Sequence, residues 1–491
     1  MRKASVLLLL AAHLCALAQD QRRIIFRVRG AENTWVFLAN YYGNQLFYTD
    51  SALTDATGAA VFHREQGFKT GVYALLKGSA YVTFLVNEPE VELETSAADL
   101  RGQFTVKRSE ENHLFQDYTR FINTQGNLKS GIERRIQAET DPLVKKGLMD
   151  EVARADKTIN NYRRAFIKDH PGTLAAVMVG LDIVPDEQPI EGATDSVAKA
   201  FHRRKHYWDH TDLTNSNLVR VPAFRNKLDE YFSATVALVP DSINTATDEL
   251  IARVSASDDL FKLVLSRLTD RYNDPDVPGN DAVFVHLAQT YYCAKDGKAG
   301  RATWKTAAEL KALCERARKE APLVLGAKAQ ELILPDTSGN TWIKLSEVPN
   351  DWVLVIFWSP HCSHCVKALP EIHKQYKEKL EPLGVQVYAV AEAMDSTLTA
   401  DWKAFVQEHK LDWINVGLSW KIFKDLKTNR GKYVPALTTN ESISYQNNWN
   451  AINTPMFYLL DKEKRIAGKR LDPDRIVELI NQRKAREAGK R

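Results

Sequence analysis

The chain of 491 residues is 44% hydrophobic and 26% charged, an ordinary composition for a globular protein. Its length predicts two to four domains, each large enough to bury a hydrophobic core. The formal net charge is +4, and it falls by two, to +2, if Arg2 and Lys3 leave with an N-terminal leader. A charge so close to neutral argues against a nucleic-acid partner.

Residues 1–18 have the pattern of a signal peptide. The basic pair Arg2–Lys3 precedes the apolar run Val6–Ala12, and an A-x-A cleavage signal ends at Ala18. We therefore expect cleavage after Ala18 and export of the mature chain to the periplasm or cell envelope. No later apolar run reaches the ~18 residues that a membrane-spanning helix needs, so no transmembrane segment is expected in the mature chain.

Cys15 suggests an alternative in which the chain is a lipoprotein anchored through this cysteine. His13 and Leu14, however, stand where a lipid-attachment motif requires small residues. The sequence therefore favours a cleaved signal peptide without lipidation.

Four cysteines remain in the mature chain, and an oxidising compartment makes disulfide chemistry plausible for all of them. Cys293 and Cys314 lie on either side of a Gly/Lys-rich turn, Lys295–Arg301, between two predicted helices. They could form a structural disulfide or remain two buried thiols, and the sequence does not choose between these alternatives.

Residues 23–106 are predicted to form an antiparallel β-sandwich. Phe26 and Val28 alternate with Arg27 and Arg29, which is the period of a strand with one buried face. Further short apolar stretches follow at brief intervals, separated by turns rich in Gly, Asn and Asp. This region shows no catalytic constellation, and its aromatic residues are expected in the core.

Residues 109–322 are predicted to be all-α. Ser109 suits an N-cap, and acidic residues follow it in the first turn of a helix with a periodic apolar face. The histidine-rich run 202–210 could supply metal ligands, but it lacks cysteines and a clean i, i+4 histidine pair facing a carboxylate. A solvated basic face is the favoured interpretation of this run.

The chemistry is expected in the stretch that begins with Trp352–Trp358. This short apolar run is rich in aromatic and β-branched residues and predicts a buried strand. Cys362 and Cys365 follow it at the start of a predicted helix, whose positive end stabilises a thiolate. Cys362 is therefore predicted to be the attacking thiol, and Cys365, one turn further on, the resolving thiol.

The Cys-Ser-His-Cys motif, with Trp358 four residues before the first cysteine and Pro370 five residues after the second, resembles thioredoxin. The segment 453–461 (NTPMFYLLD) resembles the Thr-Pro strand of that family. The similarity covers residues 323–491 and is to the TlpA/ResA-like thiol-disulfide oxidoreductases of the cell envelope in particular.

This resemblance implies an α/β thioredoxin-like fold for residues 323–491. It also implies a cis peptide bond between Thr454 and Pro455, along which the backbone of a substrate would bind. The implied partners are protein thiols or disulfides and a membrane or periplasmic redox partner. The two leading domains resemble those that precede thioredoxin domains in a group of envelope proteins, which implies an architecture and no activity.

Two departures from the family pattern concern the proton acceptor of the resolving thiol. Ile356 stands where thioredoxin has a buried acid, and Ala368 stands where the TlpA/ResA-like group often has a glutamate. Glu371 and Glu392 are candidate substitutes.

Two histidines near the cysteines, together with Trp358, are predicted to modulate the site. His361 replaces a common tryptophan, and His364 precedes Cys365 as in DsbA-like oxidants. An imidazolium at His364 would stabilise the Cys362 thiolate and make the disulfide a better oxidant. The alternative is a solvent-facing histidine with little effect, so the direction of electron transfer stays open.

Three other functions compete for the same residues. The motif's cysteines and histidines could bind a soft metal, but no second CxxC completes a structural zinc site. A peroxidase of the peroxiredoxin type requires a threonine where Ser359 stands. A non-catalytic binding role is disfavoured by the intact CxxC and Thr-Pro motifs. We therefore expect an exported three-domain thiol-disulfide oxidoreductase without a metal or another cofactor.

Overall fold

The computed structural model describes residues 22–183, 185, 196–274, 277–294 and 300–488. The predicted signal peptide (1–18), with Cys15, lies outside the described residues. The chain folds into two compact units: the first ends at Leu238 and also includes Thr245–Ser266, and the second comprises Val239–Asn244 and Arg267–Arg491. This division does not follow the predicted domain boundaries at 109 and 323, which therefore stay predictions.

The N-terminal strands of the first unit are β1 (Arg23–Arg29), β2 (Trp35–Tyr42), β3 (Gln45–Leu53), β4 (Ala59–His63), β5 (Gly71–Lys77), β6 (Ala80–Val86), β7 (Glu90–Ser96) and β8 (Thr105–Arg108). They form two four-stranded sheets, in the orders β4-β1-β7-β8 and β3-β2-β5-β6. Both sheets contribute to one core, in which Phe26 and Val28 are buried while Arg27 and Arg29 are exposed. The predicted sandwich is confirmed.

One pairing in the sandwich differs from the predicted antiparallel arrangement. β1 and β7 pair in parallel, with Arg23 opposite Glu90 and Arg29 opposite Ser96. Parallel neighbours need a long connection. Here that connection contains β2, β3, β5 and β6, so the whole second sheet lies between the two strands in the chain.

The helices that follow are α1 (Glu110–Ala138), α2 (Pro142–Asp169), α3 (Leu174–Leu181), α4 (Ser196–His206), α5 (Pro222–Glu230), α6 (Pro240–Val254), α7 (Asp258–Arg271), α8 (Asn280–Leu287) and α9 (Ala307–Glu320). Ser109 caps α1 as predicted, since its hydroxyl oxygen accepts from the Asn112 amide at 3.1 Å. α1 and α2 pack through the stacked rings of Phe121 and Tyr162. The helical region is confirmed.

Cysteine and histidine residues of the helical region have defined partners. Cys293, just beyond α8, forms a disulfide with Cys314 of α9, which decides between the two alternatives left open by the sequence. In the histidine-rich run, His206 Nδ1 lies 2.7 Å from Asp209 Oδ2. Among the described residues, no three His, Cys, Asp or Glu side chains are grouped so that they could hold a metal ion.

The remaining elements, all in the second unit, are β9 (Ile333–Pro335), β10 (Trp342–Lys344), β11 (Trp352–Trp358), α10 (Ser363–Gln375), β12 (Val385–Ala391), α11 (Ser396–Glu408), β13 (Ile414–Val416), α12 (Trp420–Thr428), α13 (Arg430–Tyr433), α14 (Asn440–Ile443), α15 (Tyr445–Asn448), β14 (Met456–Leu460), β15 (Ile466–Lys469) and α16 (Pro473–Ala488). Five strands form a sheet in the order β13-β12-β11-β14-β15. β11 and β12 are parallel, as are β12 and β13, whereas β14 is antiparallel to both of its neighbours.

The central strand β11 is buried along its whole length, as its apolar run predicts. Its alternate residues enter two separate cores: Val353, Val355 and Phe357 belong to one, and Leu354, Ile356 and Trp358 to the other. A strand covered on both faces cannot tilt or slip without exposing apolar side chains, so the end of β11 is a fixed platform for the residues that follow. Within the described ranges, no helix is both long and apolar enough to span a bilayer.

Two glycines in turns of the sandwich, Gly58 and Gly78, allow a test of how closely the backbone approaches itself at Gly58. Gly58 has φ +76°, and a Cβ there would lie 2.5 Å from the Val28 carbonyl oxygen. Gly78 has φ +61° with no atom within 4 Å of an added Cβ. We expect Gly78→Ala to cost about 1–2 kcal/mol for the left-handed backbone alone, and Gly58→Ala to cost about 3 kcal/mol or more. Urea unfolding of the mature chain measures both values, and equal losses would contradict the close approach at Gly58.

Candidate active site

The two cysteines lie at the junction between the central strand β11 and the helix α10. β11 ends at Trp358, and the turn that follows is closed by the Cys362 amide, which donates to the Ser359 carbonyl oxygen at 3.1 Å. Cys362 is the N-cap of α10, and its sulfur accepts from the Cys365 amide at 3.3 Å. The first cysteine therefore sits at the positive end of the helix, as predicted.

The Thr-Pro segment reaches the cysteines because of the pairing of the central strands. β14 runs antiparallel to β11, with Met456 opposite Phe357, so the residues before Met456 lie beside the residues after Phe357. The Cys362 thiol donates to the Thr454 carbonyl oxygen at 3.3 Å. The Thr454–Pro455 peptide bond is cis, as the resemblance implies.

The two thiols differ in burial and in acidity. Cys365 is fully buried, whereas Cys362 is partly exposed. Burial and, to a smaller extent, the hydrogen bond to Cys362 raise the pKa of Cys365 to about 11. At Cys362 burial also disfavours the thiolate, but hydrogen bonds from the Cys365 thiol and amide, from Thr454 and from the His364 amide outweigh it, so the pKa lies below its ordinary value. Cys362 is thus the thiol suited to attack.

The predicted modulating residues have separate positions. His361 is half-exposed, and its Nε2 lies 2.7 Å from Asp401 Oδ2 on α11. The side chain of His364, in the first turn of α10, is exposed, while its backbone amide faces the Cys362 sulfur. Trp358 is buried and packs against Phe405. The structure thus groups Cys362, Cys365 and Thr454, but it turns His361 toward α11.

Glu371 and Glu392, the candidate proton acceptors for Cys365, each have other hydrogen-bond partners in the structure. Glu371 lies on the exposed side of α10 and accepts from Gln375 at 3.1 Å. Glu392 is half-buried just beyond β12, and its amide donates to the Trp358 carbonyl oxygen at 2.9 Å. The polar groups that set the acidity of Cys365 are Cys362, Ser359 and Thr454.

Sequence reasoning missed two contributors to this site. Asp401, the partner of His361, lies 39 residues beyond Cys362 on an ordinary amphipathic helix, and no local motif marks it. The family pattern marks Ser359 only as a replacement for a threonine, yet its carbonyl oxygen closes the turn and its hydroxyl oxygen accepts from the His361 amide at 3.4 Å. In the sequence, this turn is marked by Pro360, which cannot continue a central strand.

The sheet order, the cysteine pair at the start of α10 and the cis Thr-Pro segment define a thioredoxin-like domain in the second unit. Residues 325–469 match the AhpC/TSA family. The fold class predicted from the sequence is confirmed for this part of the chain. A comparison with curated proteins found no match.

Several of the solved structures to which the chain is similar come from Bacteroides. A thioredoxin-like protein from Bacteroides caccae is 20% identical, with a TM-score of 0.40, over 61% of this chain and 97% of that one. The thioredoxin domain of a thiol-disulfide oxidoreductase from Bacteroides vulgatus is 24% identical, with a TM-score of 0.25, over 32% of this chain and 96% of that one. A thiol:disulfide interchange protein from Bacteroides sp. is also 24% identical, with a TM-score of 0.25, over 32% of this chain and 89% of that one.

The different acidities of the two thiols predict selective alkylation. In the reduced protein, iodoacetamide is expected to modify Cys362 with a pH midpoint below the ordinary thiol value of about 8.5. Cys365, with a pKa of about 11, should stay unmodified at neutral pH. Mass spectrometry of tryptic peptides measures each site between pH 5 and 10, and Cys362→Ser serves as the control. Faster modification of Cys365 would contradict the assignment of roles.

Proposed function

We propose that this protein is an exported thiol-disulfide oxidoreductase that exchanges disulfides with protein substrates through a mixed disulfide at Cys362. The observation that carries the proposal is that several features meet at the Cys362 thiol. Its pKa is lowered, it is partly exposed, it caps a helix, and it faces the cis Thr454–Pro455 segment. A thiolate in such a position is a nucleophile toward disulfides.

In the reductive direction, the Cys362 thiolate attacks one sulfur of a substrate disulfide. A bond forms between Cys362 and that sulfur, the substrate's disulfide bond breaks, and the second substrate sulfur leaves as a thiolate that takes up a proton. Cys365 then loses its proton and attacks the Cys362 sulfur. This step forms the Cys362–Cys365 disulfide and releases the first substrate sulfur as a thiolate, so the substrate gains two electrons and the enzyme loses two. Oxidation of a substrate dithiol is the reverse sequence.

The coupling between the two thiols orders these steps. Before the attack, the negative charge on Cys362 and its hydrogen bond with Cys365 both disfavour ionisation of Cys365. Once Cys362 has become part of a mixed disulfide, that charge is gone, so the pKa of Cys365 falls toward a value set by burial and by its hydrogen bonds with Ser359 and Thr454. Resolution therefore becomes easier only after a substrate has been captured.

The substrate is proposed to bind as an extended backbone beside Thr454. Pro455 has no amide hydrogen, and the preceding residue, Thr454, lies beside the cysteines because its carbonyl oxygen accepts from the Cys362 thiol. A membrane or periplasmic redox partner would restore the starting oxidation state of the pair. Neither binding partner involves a nucleic acid in this proposal, and no cofactor takes part.

Two substitutions test the order of attack. Cys362→Ser is expected to abolish reduction of insulin by the protein in the presence of dithiothreitol, because no thiolate is left to attack. Cys365→Ala should accumulate a covalent complex with a disulfide substrate, seen on a non-reducing gel and lost on addition of dithiothreitol. The double variant is the control and should form no complex. Wild-type turnover by either single variant, or faster turnover of hydrogen peroxide than of insulin, would contradict the mechanism.

The reduction potential of the Cys362–Cys365 pair measures the role of His364. We expect His364→Ala to make the potential more negative by about 10–20 mV, because an exposed charge near the thiolate contributes up to ~1 kcal/mol. His373→Ala is the matched control, since His373 lies on the same helix but pairs with Asp412. Titration against glutathione gives each value. An unchanged potential in His364→Ala would mean that this histidine faces the solvent and has little effect on the thiolate. A wild-type protein without a two-electron transition would exclude the oxidoreductase function.

A further inference from the structure

A cavity of about 500 Å³ lies within the second unit, beside the edge strand β15 of the sheet. This volume is typical of sites for small ligands. Its apolar lining comes from the sheet, from the start of α16 and from the segment after α9: Leu323, Leu325, Met456, Ala467, Leu471 and Leu479. Charged groups also line it, namely Asp281, Glu320, Lys469, Arg470, Asp472 and Arg475.

One carboxylate oxygen of this lining lacks a partner. Glu320, the last residue of α9, accepts from Arg316 Nε at 2.8 Å through Oε1. Its Oε2 is buried and has no hydrogen-bond partner among the described residues. A buried acceptor without a donor costs free energy, and more so when it is charged. A ligand that brings an N–H group to this oxygen would recover that cost.

The other charged side chains of the lining already have partners of their own. Lys469 of β15 forms an ion pair with Asp281 of α8, and both side chains are largely buried. This ion pair makes the cavity wall polar. Because Lys469 is already paired with a carboxylate, it does not need an acceptor from a ligand. The unmatched group is therefore an acceptor, Glu320 Oε2, which selects for a donor on the ligand.

The position of Glu320 is fixed by the elements around it. Arg316, which holds Oε1, also donates to the Asn273 carbonyl oxygen at 3.2 Å and lies over the Phe284 ring at 4.1 Å. The Cys293–Cys314 disulfide ties the chain just beyond α8 to α9, the helix that carries Glu320. A carboxylate held in this way does not have to be ordered again when a ligand binds, which favours affinity.

We propose that this cavity is a binding site for an amphipathic amine, whose alkyl part contacts the apolar lining and whose ammonium group donates to Glu320 Oε2. A charge-assisted hydrogen bond of this kind is stronger than one from a neutral donor. The site does not use the cysteines, so it stands independently of the oxidoreductase function. It does include Met456, which directly follows Pro455 in the chain.

Calorimetric titration of the mature protein with octylamine and with octanoate tests the proposal. The two probes share one alkyl chain, but octylamine donates hydrogen bonds and octanoate only accepts them. We expect octylamine to bind at least about tenfold more tightly than octanoate, since a hydrogen bond to a charged group contributes that factor or more. Equal affinities, tighter binding of octanoate through Arg470 or Arg475, or no binding of either probe would overturn the proposal.

Two variants separate the carboxylate from the surface charge. Glu320→Gln keeps an acceptor for Arg316 but can place a donor where Oε2 was, so it should remove the preference for octylamine. Glu478→Gln is the matched control, because Glu478 is an exposed acid that pairs with Arg475 and does not line the cavity. An octylamine affinity that is unchanged in Glu320→Gln, or lowered equally in both variants, would also overturn the proposal.

A third variant tests the cavity itself. Leu325→Trp places a larger side chain on the apolar wall and should abolish binding of both probes. Insulin reduction and the thermal midpoint of each variant show whether it has kept its fold. If Leu325→Trp is misfolded, the comparison of Glu320→Gln with Glu478→Gln still decides the proposal.

Discussion

The contact between the Cys362 sulfur and the Thr454 carbonyl oxygen joins residues that are 92 positions apart in the chain. It exists because β14 pairs with β11 in one register and because β11 is packed on both faces. A slip of one residue in that pairing would move every side chain of β14 to the opposite core. The two hydrophobic cores of the second unit thus fix the distance between the Cys362 sulfur and the Thr454 segment, and Cys365 is itself part of one of these cores.

The same arrangement explains how a domain without the usual buried acid can distinguish its two thiols. Ile356 points into a core, and α10 has an alanine at position 368, so neither family position supplies a carboxylate. The distinction comes instead from exposure and hydrogen bonds: Cys362 receives donors from the first turn of α10, while Cys365 lies in apolar surroundings. Neighbouring backbone groups and burial replace a dedicated side chain.

The features that sequence predicted best are those with a local cause. The apolar run 352–358 identified β11, the spacing of Cys362 and Cys365 identified the start of α10, and the alternation around Phe26 identified a strand of the sandwich. Each depends on the period of a strand or on the geometry of a helix end. Local patterns of this kind were enough to place the candidate site in the chain.

The features that sequence did not predict depend on contacts between distant segments. The parallel pairing of β1 with β7, the approach of Asp401 to His361 and the free oxygen of Glu320 have no local signature. Residues 425–451 run from the end of α12 to the segment before β14 and have no clear pattern in the sequence. They contain three short helices whose Tyr433, Tyr445 and Trp449 are buried in a core of the sheet. Whether a spacer is a loop or part of a core is decided by what it packs against.

The Cys293–Cys314 cross-link also has a consequence for where the chain can mature. It closes a loop of 21 residues, and restricting such a loop in the unfolded chain contributes about 3 kcal/mol in the chain-entropy view of disulfides. A protein kept in a reducing cytosol would lack that contribution around α8 and α9. Its second unit would therefore reach full stability only after the Cys293–Cys314 disulfide has formed. Full stability of this unit thus depends on release of the chain into an oxidising compartment.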